Sequence, residues 1–323
     1  MPSPSFAKNL EARDVHKTRR AKGARLVWLA RVATFASCAM LFWVAFLPGS
    51  CSPFAARTRA RETDASFLTT AGRIVPKTLI TKYAVEEKNG GRLACVTHVL
   101  PSAAWSALAP FQLGAFFFFK AKGKKVNASR RVRLAHRVAG FVLFAVSLTM
   151  TFGYVFAIHR NGLHFHKHDF NSVAHDEAFS VFSPLAKLWF VAGGSNAFEA
   201  FEHACALWFC ATATKAVFVA ARGNRTREGF PGNTRGRGWV RVHRAWAIRH
   251  LAAGYSVAAQ RAFVATFHLS CRVLYAERVC ASPAAQKGIF ADALVLGTAL
   301  CVAAGEAAIR DADALDEPGG KRE

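Results

Sequence analysis

Apolar and polar positions along this chain fall into long blocks. Six stretches are apolar over the roughly 20 residues that a spanning helix needs: Leu26–Leu47, Leu93–Phe119, Leu134–Ile158, Asn196–Ala221, Val242–Ser270 and Ile289–Ile309. The first is broken only by Arg31, and the second ends in Phe116, Phe117, Phe118 and Phe119 against Lys120. The fifth is the most polar, with Arg244, Arg249, His250, Gln260 and Arg261. A shorter run, Ala178–Val191, holds Pro184 and Lys187 and reads as an interfacial or re-entrant segment. No two-residue alternation suggests a barrel, and there is no internal repeat. The blocks predict an all-α polytopic membrane protein of six transmembrane helices, with a four-helix core made by spans two to five. The chain divides into a basic N-terminal tail (1–25), a first helix or signal-anchor (26–47), an outer loop (48–92), a membrane domain of five helices (93–309) and an acidic C-terminal tail (310–323).

Composition sharpens this picture. Lys and Arg number 43 against 20 Asp and Glu, a net charge of +23. Mean hydropathy is nevertheless positive, +0.17, so charge and apolar residues are segregated. That combination excludes a disordered chain and a secreted disulfide scaffold, and it argues against a soluble nucleic-acid binder. The charge reads as topology. Basic residues crowd the segment before span one (Arg13 to Arg25), between spans two and three (Lys120 to Arg133), and between spans four and five (Arg222 to Arg241). The loop after span three sets Arg160, Lys167 and Lys187 against Asp169, Asp176 and Glu177. Under the positive-inside rule both termini lie on the inner side. The sequons Asn127-Ala128-Ser129 and Asn224-Arg225-Thr226 then fall in inner loops and stay unmodified. The basic N-terminus also has the look of a signal or transit peptide, but its apolar run is longer than a usual signal core, which favours a retained helix. Which membrane holds the protein is left open.

The eight cysteines show neither CxxC nor a zinc pattern, and most lie in or near spans as small hydrophobes. Cys271 and Cys280 bracket the loop after span five; two free thiols are favoured there over a disulfide.

The twelve histidines carry most of the chemical information. Ionisable groups inside a membrane are costly and mark function. By helix rise, His98 in span two and His203 in span four share an outer level, while His136 opening span three and His243 opening span five share an inner one. Antiparallel helices in a bundle would bring each pair together. Paired imidazoles facing one another are what a b-type haem needs, and up to two haems would fit. Gly140 and Gly254 would leave room for the ring, with Trp105, Phe198, Phe201 and Trp246 to pack on it. Arg249 and Arg261 would offset propionate charge, although Arg261 pairing with Glu306 is slightly favoured over that role. On span five, His243, His250, Gly254, Val257, Arg261 and His268 share one face and would line the bundle interior. After span three, His164, His166 and His168 alternate and could hold a metal ion loosely, against the plainer reading of a solvated loop. Glu199 and Glu202 near His203 make no recognised acid pair.

Two resemblances follow. The pairing of span two with four and three with five, within six helices, resembles the cytochrome b561 family of transmembrane electron carriers. That resemblance implies one haem in each leaflet, though the interval from His136 to His203 demands an insertion in the outer loop. In letters, His98-Val99-Leu100 with Ala109-Pro110-Phe111-Gln112, His136-Arg137-Val138-Ala139-Gly140, and His243-Arg244-Ala245-Trp246-Ala247-Ile248-Arg249 with Arg261 resemble the membrane protein family of unknown function 2306. Glu306 fits that family's usual ending, Ala247 stands where it usually has Met, and His203 is outside its pattern. This second resemblance implies no activity.

No phosphate-binding loop, dinucleotide fingerprint, nucleophile elbow or HExxH is present. The expected function is therefore electron transfer through b-type haem, with an unknown donor and acceptor. The alternative is a haem-free bundle, lined by His and Arg, that takes a small anion, a lipid or a proton. The partner common to both is the lipid bilayer; nucleic acid is not expected.

Overall fold

Inside a bilayer every backbone N–H and C=O must be satisfied within the chain, so long apolar stretches become helices. The computed structural model describes residues 4–46, 91–121, 130–160, 196–227, 235–275, 280 and 283–316, and among them there is no strand. Helix α1 is Pro4–Phe46. Helix α2 runs through Gly91–Ala94, a π turn at Cys95–Val99, and Leu100–Ala121. Helix α3 is Arg130–Gly153 and ends in a π turn at Tyr154–His159. Helices α4, α5 and α6 are Asn196–Arg227, Arg235–Leu274 and Pro283–Asp316.

Each helix matches one apolar block of the sequence, and several run past it. The basic N-terminal segment continues α1, the sequon at Asn224 lies within α4 rather than in a loop, and α6 carries on through Asp311 and Asp313 to Asp316. The loops at 48–90 and 161–195, with Ala178–Val191, His164, His166 and His168, lie outside the described residues, as does the sequon at Asn127.

Each helix packs on its neighbours in sequence, α6 returns to α1, and α5 also reaches α1. The α5–α6 interface is the most extensive. The result is a closed ring of helices that alternate in direction. Arg25, mid-way along α1, meets Asp311 near the end of α6, while Trp43 near the end of α1 lies under Arg261 of α5.

Four stretches are long and apolar enough to cross a membrane: Arg20–Val44 of α1, Arg131–His159 of α3, Ala197–Gly223 of α4 and Gly288–Asp316 of α6. Most of each apolar window faces outward. Phe35, Phe141, Phe152, Leu207 and Phe218 are among the exposed apolar residues. In water such a surface would aggregate; in lipid it is the solvated one. The fold is thus a helical bundle that fits an integral membrane protein.

Contacts between the helices follow membrane rules. Lipid tails are as apolar as Leu, so helices gain by close packing of small residues. Ala109, Ala213, Ala253, Ala293 and Ala312 are buried. At Gly297 a Cβ would come within 2.8 Å of the Gln260 backbone nitrogen, so α5 and α6 approach at backbone distance only because this residue has no side chain. Hydroxyls turn back on their own helix: Ser106 donates to Ser102 O (2.8 Å), Thr151 to Ser147 O (3.0 Å) and Ser256 to Ala252 O (3.1 Å). Each of these hydroxyl hydrogens is thereby satisfied within its own helix.

Helix α5 is the polar member, and α6 answers its charges. Arg244, whose side chain is 2% exposed, is paired with both Asp313 and Asp316. Arg249 holds Glu306 in a two-pronged pair at 2.6 and 3.0 Å and lies over the Trp246 ring. The expected Arg261–Glu306 pair therefore does not form. Arg249 takes Glu306, and Arg261 lies more than three turns further along α5, against Trp43 and Phe290. At the far end of α5, Cys271 and Cys280 are joined in a disulfide, where free thiols were favoured. Their Cα atoms stand 5.8 Å apart, within ordinary disulfide reach.

Candidate functional site

The geometric centre of the four-helix core is His250, which was expected only as one member of a stripe. Its Nδ1 meets Phe209 O of α4 at 3.2 Å, and its Nε2 meets Ser147 Oγ of α3 at 3.0 Å and accepts from Trp105 Nε1 of α2 at 3.3 Å. This pattern assigns the proton to Nδ1, with Nε2 as acceptor. One imidazole on α5 thus ties together α2, α3, α4 and α5. Every nitrogen is occupied, so the residue organises the core and has no lone pair left for a ligand. The rest of the predicted stripe divides: His268 is buried with His250, but Val257 is 39% exposed and faces out.

The inner histidines sit one to two turns from the basic ends. His243 Nδ1 meets Ala216 O of α4 at 2.9 Å. Donation to that carbonyl fixes the ring and leaves Nε2 as the lone-pair nitrogen, the way metal-binding imidazoles are held. His136 of α3 lies within electrostatic reach of His243, and its Nδ1 is buried with no hydrogen-bond partner among the described residues. Gln112 of α2 donates to the His136 backbone oxygen at 3.0 Å. One turn on, a Cβ at Gly140 would meet only the Gln112 amide, at 3.8 and 4.0 Å. The place of a Cβ at Gly140, beside the inner pair, is thus bounded by the Gln112 amide alone. These observations fit a planar group held between the two imidazoles.

The outer half is arranged differently. His98 lies in the π turn of α2, its Nδ1 on Met150 O at 3.0 Å, with Arg261 as its charged neighbour. His203 Nδ1 meets Glu199 O at 2.7 Å, and its ring centre is 4.3 Å from that of His159. Tyr154 packs on both His159 and His203. His203 is thus drawn to the end of α3, and no described contact joins it to His98. Gly254 offers no room for a ring either, because the Trp105 indole fills the place of its missing Cβ. Phe209, His250 and Tyr255 surround that indole, with centres 5.3 to 6.1 Å away. The expected cradle at Gly254 is therefore a packed core, and the residues there do not fit a haem.

Of the two arginines expected at a cofactor, Arg249 is committed to Glu306, while Arg261 lies over the Trp43 and Phe290 rings. Phe198 is buried, and Trp246 serves Arg249. Sequence reasoning did not single out two positions, the core-organising His250 and the outer His159. The first carries no motif. The second was read as loop, although the π turn that continues α3 ends on it.

No family model matches this chain, and neither a curated protein nor a solved structure does.

Proposed function

We propose that this chain is a six-span membrane protein of b-type electron-transfer character, with His136 and His243 as the axial pair. The observation that carries this reading is the inner pair itself: two imidazoles from facing helices, one fixed through Nδ1 to Ala216 O, the other with an orphaned buried nitrogen. When bound between them, a haem supplies reversible one-electron transfer at a potential set by its ligands and burial. The chain's own part is to hold both rings, to keep space beside Gly140, and to exclude water with lipid-facing apolar helices. The likeness to cytochrome b561 supports the same reading for span three with span five.

Orientation belongs to the proposal. The basic helix ends and both termini lie on the inner, cytoplasm-equivalent side. Cys95, which is disulfide-bonded, and the Cys271–Cys280 bridge both sit at the opposite ends of their helices, where an oxidising compartment would form them.

The deciding measurement is a dithionite-reduced-minus-oxidised spectrum of the full chain, purified after expression with ample haem, with a haem-to-protein ratio. One b-type haem per chain, abolished by His243→Ala and kept by His203→Ala, is expected. A second haem lost on His203→Ala would restore the outer pair to the scheme. A folded protein with no band would sink the reading. The second reading, a haem-free bundle lined by His and Arg that binds a small anion, would then be the one to test.

A further inference from the structure

The outer ends of α3 and α4 bring together three groups that no part of the haem reading needs. His159 closes the π turn of α3, and Glu199 and His203 stand one turn apart on α4. One ligand atom from each lies within 4.8 Å of the other two. His159 Nε2 and Glu199 Oε1 are already 3.6 Å apart. Two ligands of one tetrahedral ion at about 2.1 Å from it stand about 3.4 Å apart, so that pair needs almost no movement.

The third ligand is oriented as well. His203 holds Glu199 O through Nδ1, which leaves Nε2 to face an ion. Tyr154 packs on both imidazoles and fixes their mutual angle; His159 and His203 meet edge to face, with 88° between their planes. The side chains of His159 and Glu199 are 28% and 26% exposed. That is open enough for an ion to enter from the aqueous side and closed enough for the set to be held.

We propose that His159, Glu199 and His203 form a site for one divalent transition-metal ion at the outer face of the bundle. Two imidazoles and one carboxylate suit Zn2+ or Fe2+ and disfavour Ca2+ and Mg2+, which take oxygen ligands. Three protein ligands leave a fourth position for water or an incoming ligand. Because His203 Nε2 can serve only one metal, this assignment takes His203 away from an outer haem. It does not depend on the inner pair.

The test uses the full chain in lipid nanodiscs, stripped with a chelator and titrated with Zn2+ against a chromophoric competitor, then with Fe2+ under reducing conditions, Co2+ as an absorbing substitute, and Ca2+. The expected result is one Zn2+ per chain, with no competition from Ca2+. His203→Ala and Glu199→Gln should each weaken binding tenfold or more. Glu199→Gln is nearly isosteric and carries the test if an alanine variant fails to fold, as judged by size exclusion and helical circular dichroism. A triple variant with His164, His166 and His168 changed to Ala should bind as the parent does. The proposal is overturned by absence of saturable Zn2+ binding, by binding indifferent to Glu199→Gln and His203→Ala, or by loss of the ion in the triple loop variant. Zn2+ and Fe2+ are told apart by which one remains bound when both are supplied at equal free concentration.

Discussion

The inner and outer halves of this bundle are held by different forces. At the inner end, carboxylates of α6 clamp arginines of α1 and α5: Arg25 with Asp311, Arg241 and Arg244 with Asp313, Arg244 also with Asp316, and Arg249 with Glu306. At the outer end α5 is joined covalently through Cys271 to Cys280, which precedes α6, and α3 meets α4 through imidazole and aromatic rings. The difference follows from position. The inner end has a surplus of positive charge that α6 neutralises, so the acids near the C-terminus act as helix clamps. At the outer end the described ties are instead covalent and ring contacts. The two candidate sites differ as well: both inner histidines stand in regular α-helix, whereas one ligand of the outer set, His159, closes a π turn, a feature that recurs at functional sites.

The largest effect that would break this comparison comes from the inner clamp. Asp313→Asn with Asp316→Asn strips both carboxylates from a guanidinium whose side chain is 2% exposed. Leaving a buried charge uncompensated costs about 3–5 kcal/mol. Thermal unfolding in one fixed detergent should show that loss, and an unchanged midpoint would mean that the clamp is ornamental. The outer staple should count for less. Cys271→Ala with Cys280→Ala opens a loop with a sequence separation of 9. Loop-closure entropy for so short a loop is about 2–3 kcal/mol. Reduction should cost the parent at least as much, because it also opens the disulfide at Cys95, and the double variant should lose only the Cys95 share. A reductant-insensitive parent would mean that the outer half is held by packing alone.

Much of this was legible in the sequence, for a physical reason. Hydropathy blocks report where a chain can meet lipid, and among the described residues each apolar run falls in one helix, four of them long and apolar enough to cross a membrane. Hydropathy does not report where a helix ends, because a helix can leave the membrane and continue, as α1 does through its basic segment and α6 through Asp316. Which arginine reaches Glu306 depends on the axial offset between α5 and α6, and that offset is set by the approach at Gly297 rather than by any motif. Arg249 and Arg261 are equivalent in the sequence until that offset is known. His250 and His243 are likewise similar letters on one helix. Only the neighbours separate them: Trp105, Ser147 and Phe209 occupy every nitrogen of the first, while Ala216 occupies one nitrogen of the second. The meeting of His159 with His203 spans a long connection, and no spacing rule crosses it. Which residues share a helix was readable; partner identity across helices was not.

The smallest effect tests whether the inner clamp is uniform. Arg25 donates to Asp311 at 2.7 Å, yet its side chain is 64% exposed while that of Asp311 is 11% exposed. An exposed ion pair gains little in water, because the guanidinium gives up hydration and rotamer freedom to hold it, and salt screens what remains. A double-mutant cycle on Arg25→Gln and Asp311→Asn should therefore give a coupling of only about 0.2–1 kcal/mol. Raising the ionic strength from 0.01 to 1 M, which shortens the screening length from about 30 to about 3 Å, should erase most of it. The Asp313/Asp316 effect should persist at the same salt, because Arg244 is shielded from the ions that screen Arg25. If both respond alike, the inner end is a single solvated charge network and burial of Arg244 contributes nothing separate. If only the Arg25 coupling fades, the clamp has a graded structure: a soft outer rim on α1 and a salt-resistant grip between α5 and α6 at Arg244, the residue next to the histidine proposed as an axial ligand.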